Sequence, residues 1–378
     1  MSAASCIVLA AGGTGGHVFP AEALANELLA RGHRLALITD TRGADYGGTL
    51  GRIDRHLIRA GTLSGRGVGG KMNGFLNIVA GVFQARALLP RLRPQAVVGF
   101  GGYPSLPTML AAARLGTPVT MHEQNAVLGR VNRLMAGRAA AIALSFAHTE
   151  KLADRDKRRA QVTGNPVRAT ILEKRETAYP VLAEGGELRL LITGGSQGAA
   201  IFSKVVPEAI ARLDAGLRDR LRIDQQCRPE DIERVRAAYL ALRVKADLAT
   251  FFSDVPDRVA AAHLVIARSG ASTVAELAAV GRPALLVPYQ FATDDHQTAN
   301  ARALSEAGGA WTIGQREFTA ENLAARLNAL LSTPPYLVEA AAAAHRMGQP
   351  DAAALLADLV ERVSGANGHH SHPRDAAA

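Results

Sequence analysis

One unit, in which an apolar strand runs directly into a glycine-rich loop and then a helix, occurs twice in this chain. Residues 7–11 (IVLAA) lead into residues 12–17 (GGTGGH), and residues 188–193 (LRLLIT) lead into residues 194–199 (GGSQGA). A third glycine cluster, residues 99–105 (GFGGYPS), also follows an apolar run. Since apolar strands that alternate with helices form parallel sheets covered by helices, an α/β protein is predicted. Two first-strand loops so far apart indicate two doubly wound domains in tandem, each with a ligand site at its strand ends.

The length of the chain supports this division. Its 378 residues exceed what one hydrophobic core ordinarily serves. The contents of hydrophobic residues (48%) and charged residues (20%) are those of a folded globular protein. The predicted organisation is a first domain (residues 1–165), a linker (166–187), a second domain (188–345), a C-terminal helix (346–364) and a disordered tail (365–378).

Local patterns place the first elements. Residues 5–11 are predicted to form a buried strand, and residues 34–39 the next strand. Between them apolar residues recur with helical spacing, and Pro20, which suits the first turn of a helix, marks the expected start. Gly32 marks the expected end, so a helix is predicted from Pro20 to Arg31.

Composition excludes several classes of protein. The two cysteines, Cys6 and Cys227, are too few for a disulfide framework and fit a reducing compartment. No apolar run is long enough to span a bilayer, so we expect the protein in the cytosol or on a membrane face. A net charge of +9 favours anionic partners. Because aromatic residues, on which bases would stack, make up only 4%, phosphates and anionic lipid are predicted as partners and nucleic acid is not.

The glycine loops are suited to phosphate binding, because they let backbone N–H groups approach a ligand at the positive end of a helix. The sequence contains no P-loop motif. Asp40 ends the second strand, where the ribose-binding acid of a nicotinamide enzyme would lie, but residues 13–18 lack the third glycine of that motif. A dinucleotide-dependent oxidoreductase therefore stays as a second hypothesis.

Several longer motifs follow one another along the chain. They are residues 12–17 (GGTGGH), 101–105 (GGYPS), 122–125 (HEQN), 164–168 (GNPVR), 194–199 (GGSQGA), 268–271 (RSGA) and 295–297 (DHQ), with Asn300 after them. In this order they resemble the MurG family of peptidoglycan glycosyltransferases, over nearly the whole chain from about residue 7 to residue 363. The resemblance implies the GT-B fold, in which two tandem Rossmann-like domains with parallel sheets face an interdomain cleft.

The resemblance also implies an activity. The family moves N-acetylglucosamine from UDP-N-acetylglucosamine to the 4-hydroxyl of undecaprenyl-pyrophosphoryl-N-acetylmuramoyl-pentapeptide, with inversion, in peptidoglycan synthesis. We therefore expect a peripheral enzyme on the cytoplasmic face of the bacterial inner membrane that needs no metal and no cofactor. A transferase of another UDP-sugar and a non-catalytic nucleotide-sugar binding protein are the remaining hypotheses.

Two residues are candidates for the base that takes the proton of the acceptor hydroxyl. His17 ends the first glycine loop, imidazole titrates near neutral pH, and the resemblance places the key histidine here. Glu123 is the rival base. Its alternative role is a structural carboxylate that pairs with Arg130 or Arg133. The sequence leaves the choice between His17 and Glu123 open.

The resemblance further implies which residues bind the substrates. For the donor these are Thr14, Gly15, Gly16, Asn125, Arg168, Ser196, Phe252, Ala271, Ser272, Thr273, Val274, Ala275, Glu276 and Gln297. For the acceptor they are Tyr103 and Asn132. Arg168 would hold the pyrophosphate and Glu276 the ribose. Thr273 and Glu276 also fit a capping box at a helix start, so a structural role is the alternative for this pair.

One pattern competes with the metal-free reading. Asp154 and Asp156 match the D-x-D motif with which another glycosyltransferase fold binds a metal. They lie in a charged stretch, residues 151–159, with no apolar strand before it, which favours a solvated helix. No metal site is predicted.

A candidate membrane segment covers residues 71–93. It combines apolar residues with the basic Lys71, Arg86, Arg91 and Arg93, as in segments that lie on an anionic bilayer. A partly buried helix of the first domain is the alternative. The preceding stretch, residues 61–74, is predicted to be a mobile loop that meets the pyrophosphate of the acceptor.

Overall fold

The structure, a computed structural model, describes residues 6–13, 15–41, 47–61, 67–195 and 200–365. They form two compact units. The first unit ends at Arg168 and is completed by the chain from Asp351 onward, and the second unit is Ala169–Pro350. Of the predicted features, Thr14, Ser196 and the tail after residue 365 lie outside the described residues.

Each unit is built on one parallel sheet. The strands of the first unit are β1 (Cys6–Ala10), β2 (Arg34–Thr39), β3 (Asp54–Leu57), β4 (Ala96–Gly99), β5 (Val119–Glu123), β6 (Ala141–Leu144) and β7 (Ala160–Val162). Those of the second are β8 (Leu188–Thr193), β9 (Leu221–Gln226), β10 (Lys245–Ala249), β11 (Leu264–Ala267), β12 (Ala284–Leu286) and β13 (Ala310–Thr312). The strand orders are β3-β2-β1-β4-β5-β6-β7 and β10-β9-β8-β11-β12-β13. In both sheets the order reverses beside the first strand, which is the doubly wound arrangement. The predicted pair of parallel-sheet, Rossmann-like domains is therefore confirmed.

Helices connect the strands. They are α1 (Gly15–Ala30), α2 (Gly67–Leu92), α3 (Gly102–Arg114), α4 (Arg130–Ala136), α5 (Asp154–Lys157), α6 (Ala169–Leu172), α7 (Ala200–Ala211), α8 (Ala215–Arg218), α9 (Ile232–Ala241), α10 (Val255–Ala261), α11 (Ala271–Val280), α12 (His296–Glu306), α13 (Ala320–Leu331), α14 (Pro334–Met347) and α15 (Ala352–Gly365). A turn of 3₁₀ helix, Thr293–Asp295, precedes α12. The last helix, α15, belongs to the first unit.

The first strand shows why the sheets are doubly covered. Ile7 and Leu9 belong to the core on one face of the sheet, and Val8 and Ala10 to the core on the other. All four are fully buried. A strand that buries both faces must be apolar at every position, which explains the uninterrupted apolar run of the sequence.

Helix α15 covers the first sheet beside α1. Arg31, just after α1, donates hydrogen bonds to Asp358 (2.6 Å) and Glu361 (2.7 Å) of α15. His33 lies 2.7 Å from Glu361. Buried apolar residues of α15, among them Leu356 and Val360, share the core of α1. The C-terminal helix is thus part of the first unit through both apolar packing and ion pairs.

Two predicted boundaries are wrong. Helix α1 begins at Gly15, not at Pro20, which lies inside the helix. Proline there removes only one intrahelical bond, which the packed helix tolerates. The predicted loop of residues 61–74 is helical from Gly67 onward, and residues 62–66 lie outside the described residues. Gly61 lies so close to this helix that a Cβ on it would be 2.2 Å from the carbonyl oxygen of Gly74.

Candidate active site

Three loops meet at the carboxyl edge of the first sheet, because β1, β4 and β5 are neighbours there. His17 follows β1, the Gly101-Gly102 pair follows β4, and Gln124 follows β5. Ligands of doubly wound sheets bind at this edge, where the strand order reverses. The sheet therefore brings together residues that are more than a hundred positions apart in the chain.

His17 is half-buried in the first turn of α1. Its Nδ1 atom lies 3.2 Å from Oε1 of Gln124. A Cβ atom on Gly102 would lie 3.3 Å from its Nε2 atom. The imidazole is thus held at one nitrogen by an amide and flanked by glycine backbone at the other.

The glycine pair after β4 has conformational and steric reasons to be glycine. Gly101 and Gly102 have φ values of 80° and 70°, in the left-handed region that side chains disfavour. A Cβ on Gly101 would lie 3.3 Å from Nδ2 of Asn132 and 3.6 Å from Cε1 of His17. The pair therefore lets the backbone pass beside both polar side chains.

Glu123 is the last residue of β5. Its side chain is 2% exposed. One carboxylate oxygen accepts hydrogen bonds from the backbone N–H of Asn125 (3.0 Å) and from its Nδ2 (3.2 Å). The other accepts from the N–H of Gly129 (2.7 Å) and from Nδ2 of Asn132 (2.8 Å). This carboxylate acts as the organiser of the loop between β5 and α4, a role that suits a structural group better than a base.

Of the two predicted acceptor residues, Asn132 lies beside Gly101, as His17 does. Asn132 is 2% exposed, its Nδ2 also donates to the carbonyl oxygen of His122 (3.2 Å), and its Oδ1 is buried without a hydrogen-bond partner. A buried amide oxygen without a partner in the protein is costly, so it calls for a donor from outside the chain, such as water. Tyr103, in the first turn of α3, packs its half-buried ring against the core. Asn125, predicted for the donor, is held by Glu123 as described.

Arg168 is the last residue of the first unit. Its guanidinium lies 4.6 Å from the centroid of the Phe19 ring on α1, a cation–π contact. Phe19 also lies beside Gly15, where a Cβ would be 2.9 Å from the ring. Arg168, which is predicted to bind the pyrophosphate, thus lies against the helix that starts at the first glycine loop.

A second polar edge lies at the carboxyl ends of β8 and β9 in the second unit. Oε1 of Gln226 accepts from Oγ1 of Thr193 (3.0 Å) and from the N–H of Gly194 (3.2 Å). Its Nε2 donates to the carbonyl oxygen of Thr250 (3.2 Å). Gly195 has a φ of 74°, which glycine adopts without strain. Gln226 therefore fixes the entry to the glycine loop whose next residues, including Ser196, are outside the described part of the chain.

Helix α11 begins after β11 with Gly270 as its N-cap. The capping-box interpretation of Thr273 and Glu276 is wrong, because the helix begins two residues before Thr273 and no side chain caps it. The predicted donor residues from Ala271 to Glu276 therefore form the first turns of a helix. The N–H groups of a first turn, together with the helix dipole, attract anions.

Helix α12 is tied to the start of α11. Ser269 donates from Oγ to the carbonyl oxygen of Gln297 (2.8 Å), and Asn300 donates from Nδ2 to the carbonyl oxygen of Ser269 (3.1 Å). Oε1 of Gln297 accepts from the N–H of Tyr289 (2.9 Å), which orients the amide. Gln297, predicted to contact the sugar, is thus held next to the helix that is predicted to hold the ribose.

The turn before α12 is strained. Asp294 and Asp295 have φ values of 56° and 54°, in the left-handed region that is unusual for residues other than glycine. Such strain is maintained by surrounding structure and concentrates at functional sites. Here Oδ1 of Asp295 accepts from Oγ1 of Thr298 (2.7 Å). Of the two residues, Asp295 is the first residue of the DHQ motif.

Phe252, predicted to lie near the uracil, is 7% exposed. Its ring is covered by the guanidinium of Arg258 at 4.0 Å, and Arg258 in turn pairs with Asp224 (2.8 Å) and Asp247 (2.7 Å). The covered ring therefore leaves the backbone of Phe252, and not its ring, as the group that a uracil could contact.

The D-x-D pair is occupied by ion pairs. Asp154 is exposed and lies 2.7 Å from Lys157, whereas Asp156 is buried and pairs with Arg159. The expectation of a solvated helix is correct for Asp154 and wrong for Asp156. Asp156 can be buried because Arg159 compensates its charge. Within the described ranges, no three side chains of the metal-binding kinds are grouped around a common point.

Two glutamines of the site were not singled out from the sequence. Gln124 and Gln226 each end, or directly follow, a buried parallel strand. The signal that finds both is a neutral polar side chain at the carboxyl end of a parallel strand, where ligand loops begin.

We expect Glu123→Gln to lower the stability of the protein, because an amide nitrogen would face at least one of the N–H groups that now donate to the carboxylate. The cost of an unsatisfied buried donor is about 1–3 kcal/mol. Thermal melting measures it, with His17→Ala as the comparison. If Glu123→Gln melts like the wild type and yet abolishes sugar transfer, the carboxylate is the base and the organising role is wrong.

The chain matches two domain models of one glycosyltransferase family and several curated relatives. Residues 7–144 match the glycosyltransferase family 28 N-terminal domain, and residues 189–356 match the glycosyltransferase family 28 C-terminal domain. A curated relative from Paramagnetospirillum magneticum, named UDP-N-acetylglucosamine–N-acetylmuramyl-(pentapeptide) pyrophosphoryl-undecaprenol N-acetylglucosamine transferase, is 57% identical over 354 residues, which are 94% of this chain and 95% of the relative. A relative of the same name from Rhodospirillum rubrum is 57% identical over 358 residues, 95% of this chain and 92% of its own.

The solved structures agree with the curated relatives. The crystal structure of Acinetobacter baumannii MurG superposes with a TM-score of 0.77 at 30% identity, over 95% of this chain and 99% of that chain. The chain belongs to glycosyltransferase family 28 and, within it, to the MurG family.

Proposed function

We propose that this chain transfers N-acetylglucosamine from UDP-N-acetylglucosamine to the 4-hydroxyl of undecaprenyl-pyrophosphoryl-N-acetylmuramoyl-pentapeptide, converting lipid I to lipid II in peptidoglycan synthesis. The observation that carries the proposal is the 57% identity over 354 residues to a relative named for this transfer. The histidine of the first unit and the helix terminus of the second are chemically suited to it.

The reaction is a single displacement. The acceptor oxygen forms a bond to the anomeric carbon, the bond from that carbon to the UDP oxygen breaks, and the electron pair leaves with the β-phosphate. The α-linked donor gives a β-linked product, since attack comes from the opposite side. The acceptor proton needs a base, and the departing diphosphate needs positive charge.

His17 is the proposed base. Its imidazole is half-buried at the sheet edge, next to Gly101 and Gly102, and Nδ1 is held by Gln124. A base with a pKa near the working pH accepts the proton and releases it to water afterwards. The four hydrogen bonds that Glu123 accepts favour His17 over Glu123 for this role.

The donor is proposed to lie on the second unit. The first turn of α11 supplies N–H groups and the positive end of the helix dipole for the diphosphate, and the glycine loop after β8 lies at the same edge of the sheet, since β8 and β11 are neighbours. Glu276, on the second turn of α11, accepts from the ribose hydroxyls, and Gln297 contacts the sugar. These groups stabilise the leaving UDP without a metal ion in the proposed mechanism.

The two domains divide the substrates in this proposal. The first domain, residues 1–165, meets the lipid acceptor through Tyr103, Asn132 and the loop organised by Glu123. The second domain, residues 188–345, holds the donor. Arg168, from the segment between them, contacts the donor pyrophosphate.

Helix α2 is proposed to place the enzyme on the cytoplasmic face of the inner membrane. Met72, Phe75, Leu76 and Phe83 recur at helical spacing and are 54–68% exposed. The opposite face of the helix packs in the core. The helix and the residue after it also carry the exposed basic residues Lys71, Arg86, Arg91 and Arg93. Among the described residues, no helix has both the length and the apolar character that crossing a bilayer requires. An exposed apolar stripe beside basic residues is typical of helices that lie on an anionic bilayer.

The primary test is transfer of labelled sugar from UDP-N-acetylglucosamine to a short-chain analogue of the lipid acceptor, with EDTA present. We expect lipid-linked disaccharide to form, because the proposed site stabilises UDP with backbone dipoles and Arg168. Product that forms only after a divalent ion is added would disprove the metal-free mechanism. Turnover with other acceptors but not with this one would disprove the proposed substrate.

For Glu276→Gln we expect KM for UDP-N-acetylglucosamine to rise about tenfold, because one charged hydrogen bond to the ribose is weakened. KM for the acceptor should not change. The increase should shrink with a 2′-deoxyribose donor, which lacks one of the hydroxyls. Glu306→Gln, an exposed glutamate at the end of α12, is the matched control. An equal increase with both donors would contradict ribose recognition by Glu276.

Binding to vesicles that contain phosphatidylglycerol tests the membrane face. The triple change Phe75→Ser, Leu76→Ser and Phe83→Ser should lower binding by more than about tenfold, because it removes three apolar side chains that would enter the interface. Leu240→Ser, at a leucine of α9 that is at least as exposed, is the control and should bind like the wild type. Unchanged sedimentation of the triple variant would refute the assignment of α2.

A further inference from the structure

Behind His17 lies a line of buried polar groups, of which the proposed mechanism has used only the contact with Gln124. His122, on β5, is 0% exposed, and Gln124, directly after the strand, is 1% exposed. Together with the carbonyl oxygen of Gly164 they form a continuous series of hydrogen bonds that ends at His17. Each bond in the series constrains the next.

The amide of Gln124 has only one orientation that satisfies its neighbours. Its Nε2 lies 2.9 Å from the carbonyl oxygen of Phe100 and 3.1 Å from Nδ1 of His122. A carbonyl oxygen can only accept, so the NH₂ group must point there. The amide oxygen is therefore the atom that faces Nδ1 of His17, at 3.2 Å.

The tautomer of His122 is fixed in the same way. Its Nε2 lies 3.2 Å from the carbonyl oxygen of Gly164, so Nε2 carries the proton and Nδ1 accepts from Gln124. Gly164 has a φ of 80°, a turn that glycine makes without strain. Burial lowers the pKa of His122 to about 4, although the hydrogen bond to Gly164 acts in the opposite direction. The ring is therefore neutral at neutral pH. A neutral ring has one N–H donor and one acceptor nitrogen, so His122 fixes which atom donates in each hydrogen bond of the series.

The amide oxygen of Gln124 determines which nitrogen of His17 carries the proton. Because that oxygen can only accept, Nδ1 of His17 donates its proton to it, and the lone pair is on Nε2. Gly102 has no side chain to fill the space beside this Nε2. An amide also adds no charge, so it selects a tautomer without stabilising imidazolium as a carboxylate would.

We propose that Gln124, supported by His122, is a positioning residue that holds His17 as the Nδ1–H tautomer, so that Nε2 is the atom that takes the acceptor proton. The inference rests on the proposed function for its catalytic meaning, but the tautomer itself is a property of the folded protein. The proton passes from the acceptor hydroxyl to Nε2 of His17, which then releases it to solvent. Gln124 and His122 exchange no proton with the substrate.

The direct test is the pattern of imidazole ¹⁵N resonances in the histidine-labelled wild-type protein at neutral pH. We expect His17 with the proton on Nδ1, and His122 and His263 with the proton on Nε2. His263 is an internal reference, because its Nδ1 accepts from the backbone N–H of Arg189 at 2.9 Å. Protonation of His17 at Nε2 would overturn the proposal, whether or not the enzyme turns over.

The kinetic test is Gln124→Met, which keeps the volume of the side chain and removes its oxygen. We expect kcat for sugar transfer to fall ~10²–10⁴-fold, the range of a general base held in the wrong tautomer, with both KM values within about threefold. The ¹⁵N pattern of His17 should change with it. Thr120→Val, at a buried threonine of β5, is the control for a changed core and should keep kcat.

The outcomes separate the two proposals. A wild-type protein without transfer activity would defeat the proposed function, and the ¹⁵N pattern would still decide the tautomer. An active wild type whose Gln124→Met variant keeps kcat would defeat the positioning role alone. A fall in kcat matched by an equal fall for Thr120→Val would show a general packing effect and also count against it.

Discussion

The parallel arrangement of the strands is the constraint on which the rest of this structure depends. Every strand of a parallel sheet ends at the same edge, so every following loop starts there. In the first unit this places His17, the Gly101-Gly102 pair and Gln124 side by side, although they follow three different strands. In the second unit it places the loop after β8 beside the start of α11. The order of the strands in each sheet therefore determines which residues lie together at each site.

Burial then separates residues that look alike in the sequence. His17 and Glu123 are both strand-end groups that titrate, and either could serve as a base. In the folded chain Glu123 is enclosed and accepts four hydrogen bonds from Asn125, Gly129 and Asn132, whereas His17 is half-buried and its Nδ1 lies beside the amide of Gln124. The same reasoning distinguishes His122, a buried neutral ring, from His17. Function within this cluster follows from which hydrogen-bonding atoms the fold has already occupied.

The sequence predicted the regular parts well where a local rule acts alone. Strand β2 was predicted at residues 34–39 and β8 at residues 188–193, and both are confirmed, because continuous apolar runs bounded by loops have few other structures available. The rules failed where two local signals compete. Pro20 suits a first turn but lies inside α1, and Thr273 with Glu276 matches a capping box although Gly270 caps the helix. Packing against the sheet, not the local motif, decided where these helices begin.

The sequence by itself determined the two doubly wound domains, the glycine loops and the family, because these depend on residue type and order along the chain. It could not rank His17 against Glu123, and it did not single out Gln124 and Gln226. Those decisions depend on which donor faces which acceptor across neighbouring strands. Only the tertiary structure supplies that, since a hydrogen bond of 3.2 Å between His17 and Gln124 joins residues whose separation in the sequence says nothing about their distance in space.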